Sequence, residues 1–131
     1  MLCSDKTGPS PAKVSALLAH ELVHAYDRCT ADVDFGAAAH LACTEVRAAA
    51  LAHCMTVPCL ASRRECVRAR AAGSVAAIRG VGREEAAKEV DAVFERCYGD
   101  REPFGRFAYD AGSARAAEEE YEVFVRRTRK K

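Results

Sequence analysis

The chain has 131 residues, 50% of them hydrophobic, and a formal net charge of only +1 at pH 7. A chain of this length can bury one core, and no stretch approaches the roughly 18 consecutive apolar residues of a membrane-spanning helix. The near-neutral charge argues against a nucleic-acid-binding protein, which only the basic C-terminal end would favour. We therefore expect one domain over residues 1–131, either soluble or peripheral at a membrane.

The first predicted helix begins at Ser10 and Pro11, because serine is a favoured N-cap and proline a favoured first helical residue. Apolar residues then recur at helical spacing. They predict an inward-packed stripe consisting of Val14, Leu18, Leu22, Ala25 and Cys29. His20 and His24 would lie on the other side of this helix.

The five residues His20-Glu21-Leu22-Val23-His24 form the most informative pattern in the chain. Residues four apart share one face of a helix, so His20 and His24 can bind one metal ion while Glu21 lies beside the water that the metal activates. Zn²⁺ lowers the pKa of such a water to about 7, and a glutamate can deliver the released proton to a leaving amine. The pattern indicates zinc-dependent peptide hydrolysis. The alternative is two histidines near a glutamate without a metal.

A catalytic zinc usually has a third protein ligand, and three residues are in range. Residues 36–53 predict an Ala-rich second helix, on which Glu45 shares a face with apolar residues. A carboxylate facing a core is costly unless it is paired or bound to metal, so we rank Glu45 above His40 as the third ligand. Asp27 lies one turn beyond His24 and is better placed to support the ligands than to bind the ion.

The alternative for Glu45 is a salt bridge to Arg47 or Arg28. For His40 and His53 a solvated or capping role is the favoured interpretation.

Seven cysteines are present, and no two of them form a Cys-x-x-Cys pair, which argues against a zinc ribbon and a thioredoxin-like redox pair. Because they are spread over successive predicted helices, they could join those helices through disulfides in an oxidising compartment. The candidates are Cys29, Cys43, Cys54, Cys59, Cys66 and Cys97. Buried free thiols are the alternative, and the odd count leaves at least one cysteine unpaired.

The second half of the chain has the pattern of a scaffold. Residues 66–78 continue as a helix, Gly80 and Gly82 interrupt it, and residues 83–97 form another helix. That helix has a predicted buried stripe of Ala86, Val90, Val93, Phe94 and Cys97. A turn over 100–106 precedes a charged helix and basic tail over 113–131, whose end could touch anionic lipid but is better interpreted as solvated.

Six blocks occur in unbroken order, at residues 20–27, 33–35, 40–48, 66–70, 90–97 and 102–106. Together they resemble the mitochondrial inner-membrane ATP-synthase-processing zinc metalloprotease family, also called the Ku-binding-protein family. The resemblance covers the chain from about Leu2 to about Arg106. One departure is Phe35, which stands where family members usually carry a tryptophan.

The resemblance implies a mainly α, single zincin-like domain whose HExxH helix supplies the active site. It makes His20 and His24 zinc ligands, Glu21 the catalytic base and Glu45 the remaining ligand. It also implies a protease of the intermembrane space, peripheral on the inner membrane, that trims a precursor of the membrane subunit of ATP synthase and assists its assembly. Only nineteen residues precede His20, so we expect an N-terminally shortened form with the upstream sheet reduced or missing. The rival function is a non-catalytic assembly factor that keeps the zinc fold.

Overall fold

A computed structural model describes residues 10–103, and this part of the chain contains four α-helices. They are α1 (Pro11–Thr30), α2 (Ala38–Ala48), α3 (Leu60–Arg79) and α4 (Arg83–Gly99), and a π-helical turn over Ala49–His53 extends α2. Within residues 10–103 no strand is present, which confirms the mainly α prediction. The predicted C-terminal helix and tail over 113–131, and Cys3, lie outside the described residues.

Helix α2 lies at the centre of the fold and packs against the other three helices. Its buried residues Leu41, Ala42 and Val46 belong to the main core cluster together with side chains of α3 and α4. The stripe predicted on α4 is confirmed, because all of its members are buried, namely Ala86, Val90, Val93, Phe94 and Cys97. The core therefore holds α2 in a fixed position against α3 and α4, and α1 packs on α2 from another side.

Helix α1 begins at Pro11 with Ser10 in the N-cap position, as predicted, although the Ser10 side chain forms no capping hydrogen bond. The predicted apolar stripe on this helix is wrong. Leu18 is 48% exposed and Leu22 is 66% exposed. Ala25 and Cys29 are exposed as well, and Val14 is half-buried.

The buried residues of α1 are instead Val23 and Asp27, on the side that carries the two histidines. The reason is that α2 offers polar partners to this side of α1, so its polar side chains are buried with hydrogen bonds rather than excluded.

Two disulfides join different elements of the described fold. Cys43 of α2 pairs with Cys97 of α4, and Cys54, after the π-helical turn, pairs with Cys66 of α3. Cys29 and Cys59 are exposed free thiols. Both disulfides therefore hold α2 and its extension against the two scaffold helices.

The remaining boundaries differ slightly from the predicted ones. Helix α3 begins at Leu60, six residues before the predicted start, and it ends where Gly80 adopts a left-handed conformation with a φ of 66°. Glycine takes this conformation without the strain that a side chain would add. None of the helices in the described part of the chain is long and apolar enough to cross a membrane.

Candidate metal centre and active site

Three potential metal ligands converge between α1 and α2. The Nε2 atoms of His20 and His24 are 2.9 Å apart, and Glu45 approaches them with Oε2 at 3.5 Å from His20 Nε2 and Oε1 at 3.2 Å from His24 Nε2. The two histidines are four residues apart on one face of α1, and the central position of α2 directs Glu45 towards them. The described residues hold no other group of three such side chains.

This arrangement fits a tetrahedral zinc ion. Zinc–nitrogen and zinc–oxygen bonds of about 2.1 Å at tetrahedral angles place neighbouring donor atoms about 3.4 Å apart. The separations observed between the two imidazole nitrogens and the Glu45 oxygens, 2.9, 3.2 and 3.5 Å, lie near or somewhat below that value. Glu45 is 2% exposed, and its Oε2 atom has no hydrogen-bond partner within the described residues. A buried carboxylate oxygen without a donor is costly, and a cation at this place would compensate the cost.

Glu21 is exposed and lines a cleft of about 390 Å³ together with the two histidines and Glu45. The far wall of the cleft is the C-terminal part of α3, including Ala77 and Ile78. Phe35 closes another side of it. Its ring centroid lies 5.9 Å from that of His24, and the Arg28 guanidinium lies 4.3 Å above the phenyl ring. A peptide could therefore lie beside Glu21 with apolar side chains around it.

A chain of hydrogen bonds orients His24. His24 Nδ1 is 2.8 Å from Thr44 Oγ1, and the Thr44 hydroxyl donates to Asp27 Oδ2 at 2.7 Å. Because that hydroxyl donates its only hydrogen to Asp27, it can only accept from His24, so Nδ1 of His24 carries the proton. The Nε2 lone pair is then free to bind a metal, which is the tautomer that a ligand requires.

Arg47 holds the far end of this chain. Its Nε donates to both oxygens of Asp27, and its Nη2 lies 2.8 Å from Asp27 Oδ1. The same guanidinium donates to the backbone carbonyls of Asp100 and Glu102 and pairs with the Asp100 carboxylate at 2.9 Å. Arg47 is 3% exposed, so these contacts are sheltered from solvent. These contacts therefore connect the candidate metal centre to the residues just after α4.

His20 has a different support. Its Nδ1 lies 3.1 Å from Nε2 of His53, which ends the π-helical turn. A π turn contains more residues than an α turn, and such turns occur often at functional sites. Burial is the main cause that lowers the pKa of both His20 and His53, and the Arg70 guanidinium lowers both further. The fold therefore favours neutral imidazoles, the form that binds metal.

The structure brings together His20, His24, Glu21 and Glu45, and it places Asp27 behind His24 rather than at the centre. His40 lies elsewhere, because its Nδ1 accepts a hydrogen bond from the backbone of Asp34 at 3.1 Å. The alternative salt bridges for Glu45 do not form, since Arg47 binds Asp27 and Arg28 stacks on Phe35.

Sequence reasoning did not identify Thr44, Arg47 or His53 as supporting residues. A usable signal existed for Thr44 and Arg47. Both lie within two residues of Glu45, and they are three residues apart, so their side chains are neighbours on the same short helix. His53 could not be found in this way, because the π-helical turn changes the direction in which its side chain leaves the helix from the one that an uninterrupted α-helix predicts.

The chain matches the model of the Peptidase M76 family over residues 1–105. It is 41% identical to the mitochondrial inner membrane protease ATP23 homolog of Danio rerio over 121 residues, which cover 85% of this chain and 48% of that protein. The homolog of Homo sapiens is 42% identical, with 85% and 49% covered, and the ATP23 protease of Meyerozyma guilliermondii is 42% identical, with 69% and 42% covered.

The chain thus spans about half the length of these curated relatives. No solved structure matches it. The family match extends over most of the chain and includes all the residues of the centre, from His20 to Glu45. The chain belongs to the Peptidase M76 family.

Proposed function

We propose that this chain is a zinc-dependent metalloendopeptidase whose ion is held by His20, His24 and Glu45. The observation that carries the proposal is the convergence of two imidazole nitrogens on a buried carboxylate, one oxygen of which has no hydrogen-bond partner within the described residues. Zinc bound there supplies Lewis-acid polarisation of water and of a substrate carbonyl.

The residues of the chain divide the remaining work. Glu21 lines the cleft beside the ligands, where its carboxylate takes a proton from the attacking water and transfers it to the nitrogen of the leaving amine. Thr44 holds the His24 imidazole in the metal-binding tautomer, and His53 supports the His20 imidazole through a contact with its Nδ1. Phe35 and Ile78 form apolar walls that exclude bulk water from the side of the bound peptide.

The biological setting is proposed by analogy with the relatives, which are named mitochondrial inner membrane proteases. We propose that the chain acts in the intermembrane space, peripheral on the inner membrane, on a precursor of the membrane subunit of ATP synthase, and that it assists the assembly of that enzyme. The two disulfides support an oxidising compartment.

A second candidate is a non-catalytic assembly factor with the same fold. The exposed leucines Leu18 and Leu22 favour it, since they lie on the side of α1 opposite the buried Val23 and Asp27 and could contact another protein. The substitution Glu21→Gln separates the two candidates. If the variant still supports ATP-synthase assembly while precursor processing is lost, the assembly role does not depend on catalysis.

Metal analysis of the purified protein tests the proposed centre. We expect about one zinc per chain. His20→Ala and His24→Ala should lose it, Glu45→Gln should bind it much more weakly, and Glu21→Gln should keep it while losing peptide cleavage.

His40→Ala is the matched control, because this histidine lies outside the centre and bonds to the backbone of Asp34. Zinc content should be unchanged in this variant. A loss of zinc in His40→Ala with retention in Glu45→Gln would reverse our assignment of the third ligand. A loss in Glu21→Gln equal to that in His20→Ala would make Glu21 a ligand rather than the base.

A further inference from the structure

The cleft at the metal centre continues into a second, open groove along α3. Both are lined by Ser74 and Ala77, and the second groove extends from these residues to Arg70 and Arg83. Its other lining residues are Ala69 and Gly73, so both charged side chains of its lining are positive. A peptide that leaves the metal cleft in this direction passes two guanidinium groups.

These two arginines differ from their neighbours in their partners. Three other arginines of α3 are paired with carboxylates of α4: Arg64 with Glu95, Arg68 with Asp91, and Arg79 with Glu89. Neither Arg70 nor Arg83 has a carboxylate partner within the part of the chain that the structure describes. Glu84, which follows Arg83, lies 3.7 Å from Lys88 instead. Among the described residues, no ion pair therefore neutralises the positive charge of this groove.

Gly73 makes room for the Arg83 side chain beside α3. A Cβ atom at Gly73 would lie 3.3 Å from Nη2 of Arg83, so the absence of a side chain lets the guanidinium lie close to α3. Arg70 lies on the same side of α3 as Ala77, because seven residues correspond to nearly two full turns. Its charge also reaches the centre, where it lowers the pKa of His20 and His53.

We propose that this groove binds an acidic side chain of the substrate, two to four residues to one side of the bond that is cleaved. The proposal rests on the peptidase function proposed above. The spacing follows from α3: Gly73 and Arg70 lie about 7.5 and 12 Å along the helix axis from Ile78, at about 1.5 Å per residue. An extended peptide advances about 3.3 Å per residue, so these distances correspond to between two and four residues.

The test uses fluorogenic peptides that differ only by glutamate or glutamine at each of these positions, on either side of one cleavable bond. We expect the zinc-loaded protein to cleave one glutamate peptide about five-fold more efficiently in kcat/KM than its glutamine counterpart, as expected for one or two partly exposed ion pairs. The ratio should fall to about one in Arg70→Gln/Arg83→Gln and at high salt. The glutamine peptide, measured on each variant, is the reference for this ratio, so an effect of the Arg70 charge on the metal centre cancels out of it. Arg70→Glu should instead prefer a lysine peptide.

Arg79→Gln is the matched control, since Arg79 belongs to the same helix, is paired with Glu89 and does not line the groove. Its preference should equal that of the unmodified protein. A ratio of about one for every peptide, or a preference that survives in the double variant, would overturn the proposal.

Failure of the peptidase function gives a different result, in which no peptide is cleaved. Fluorescence anisotropy of the same peptides on zinc-loaded Glu21→Gln then decides the proposal about the groove independently. Tighter binding of a glutamate peptide, lost in Arg70→Gln/Arg83→Gln, would support it, and equal binding of both peptides would reject it.

Discussion

Thr44→Val tests whether the hydrogen-bonded chain behind His24 determines metal affinity. Valine has nearly the shape of threonine, but it can neither accept from His24 Nδ1 nor donate to Asp27 Oδ2, so the variant removes two hydrogen bonds of 2.8 and 2.7 Å. Thr44 is buried, and Asp27 keeps its contacts with Arg47. The substitution therefore disconnects His24 from its support while the remaining buried ion pair stays in place.

The expected magnitudes follow from these contacts. A hydrogen bond to a charged group contributes about 1.5–3 kcal/mol, and one between neutral groups contributes about 1 kcal/mol. Water can partly replace the bond at His24, which is half-buried. We therefore expect the free energy of unfolding to fall by about 2–3 kcal/mol. We expect zinc affinity to fall about 10- to 100-fold, as is typical when a residue that orients a ligand is lost.

Zinc competition with a chelator, at a temperature where circular dichroism shows each variant to be folded, measures the affinity separately from stability. Thr44→Ser keeps the hydroxyl and removes one methyl group, so it should lose about 1 kcal/mol of stability and keep its zinc affinity. Thr30→Val is the surface control, because that exposed hydroxyl donates to the carbonyl of Tyr26 within the same helix. Unchanged zinc affinity in Thr44→Val, or equal weakening in Thr44→Ser, would refute the orienting role.

Two further predictions concern cysteines. Replacing both Cys43 and Cys97 by alanine removes a disulfide whose sequence separation is 54 residues; loop entropy predicts a loss of about 4 kcal/mol in urea denaturation, and a loss below about 1 kcal/mol would contradict this account. Hydrogen bonds from the backbone and side chain of Ser62 lower the pKa of the Cys59 thiol, so more thiolate is present at neutral pH. Cys59 in the folded protein should react faster with iodoacetamide at pH 7.5 than Cys29, and Ser62→Ala should slow it; equal rates before and after that substitution would exclude the effect.

The parts of this fold that follow from apolar periodicity were predictable from the sequence. The stripe on α4 is buried because all of its members are apolar and lie on one side of the helix. The position of Glu45 in the core was predictable for the same reason, since it shares a helix face with Leu41, Ala42 and Val46, all of them buried. Whether Glu45 binds zinc stays a prediction that the metal analysis above decides.

Helix α1 shows that apolar periodicity alone does not identify which side of a helix is buried. Its apolar residues have the spacing of a buried stripe, yet the protein buries the opposite side, where Asp27 and the histidines lie. Burial of a polar side depends on partners that are 17 to 20 positions away, and one sequence does not show which distant groups will satisfy it. An HExxH pattern itself argues for a polar side that packs against another element, because a catalytic zinc usually needs a third protein ligand from elsewhere in the chain.

The two proposals concern different helices, which makes them separable in experiment. The three donor atoms and the chain of contacts behind His24 come from α1, α2 and the residues just after α4. The groove and its arginines Arg70 and Arg83 come from α3 and the start of α4. Substitutions at Thr44 should therefore change metal affinity without altering the ratio between acidic and neutral peptides, and substitutions at Arg70 should change that ratio without altering metal content. A common effect on both quantities would show that α3 and the metal centre are coupled, because the Arg70 charge acts on His20 as well as on the peptide.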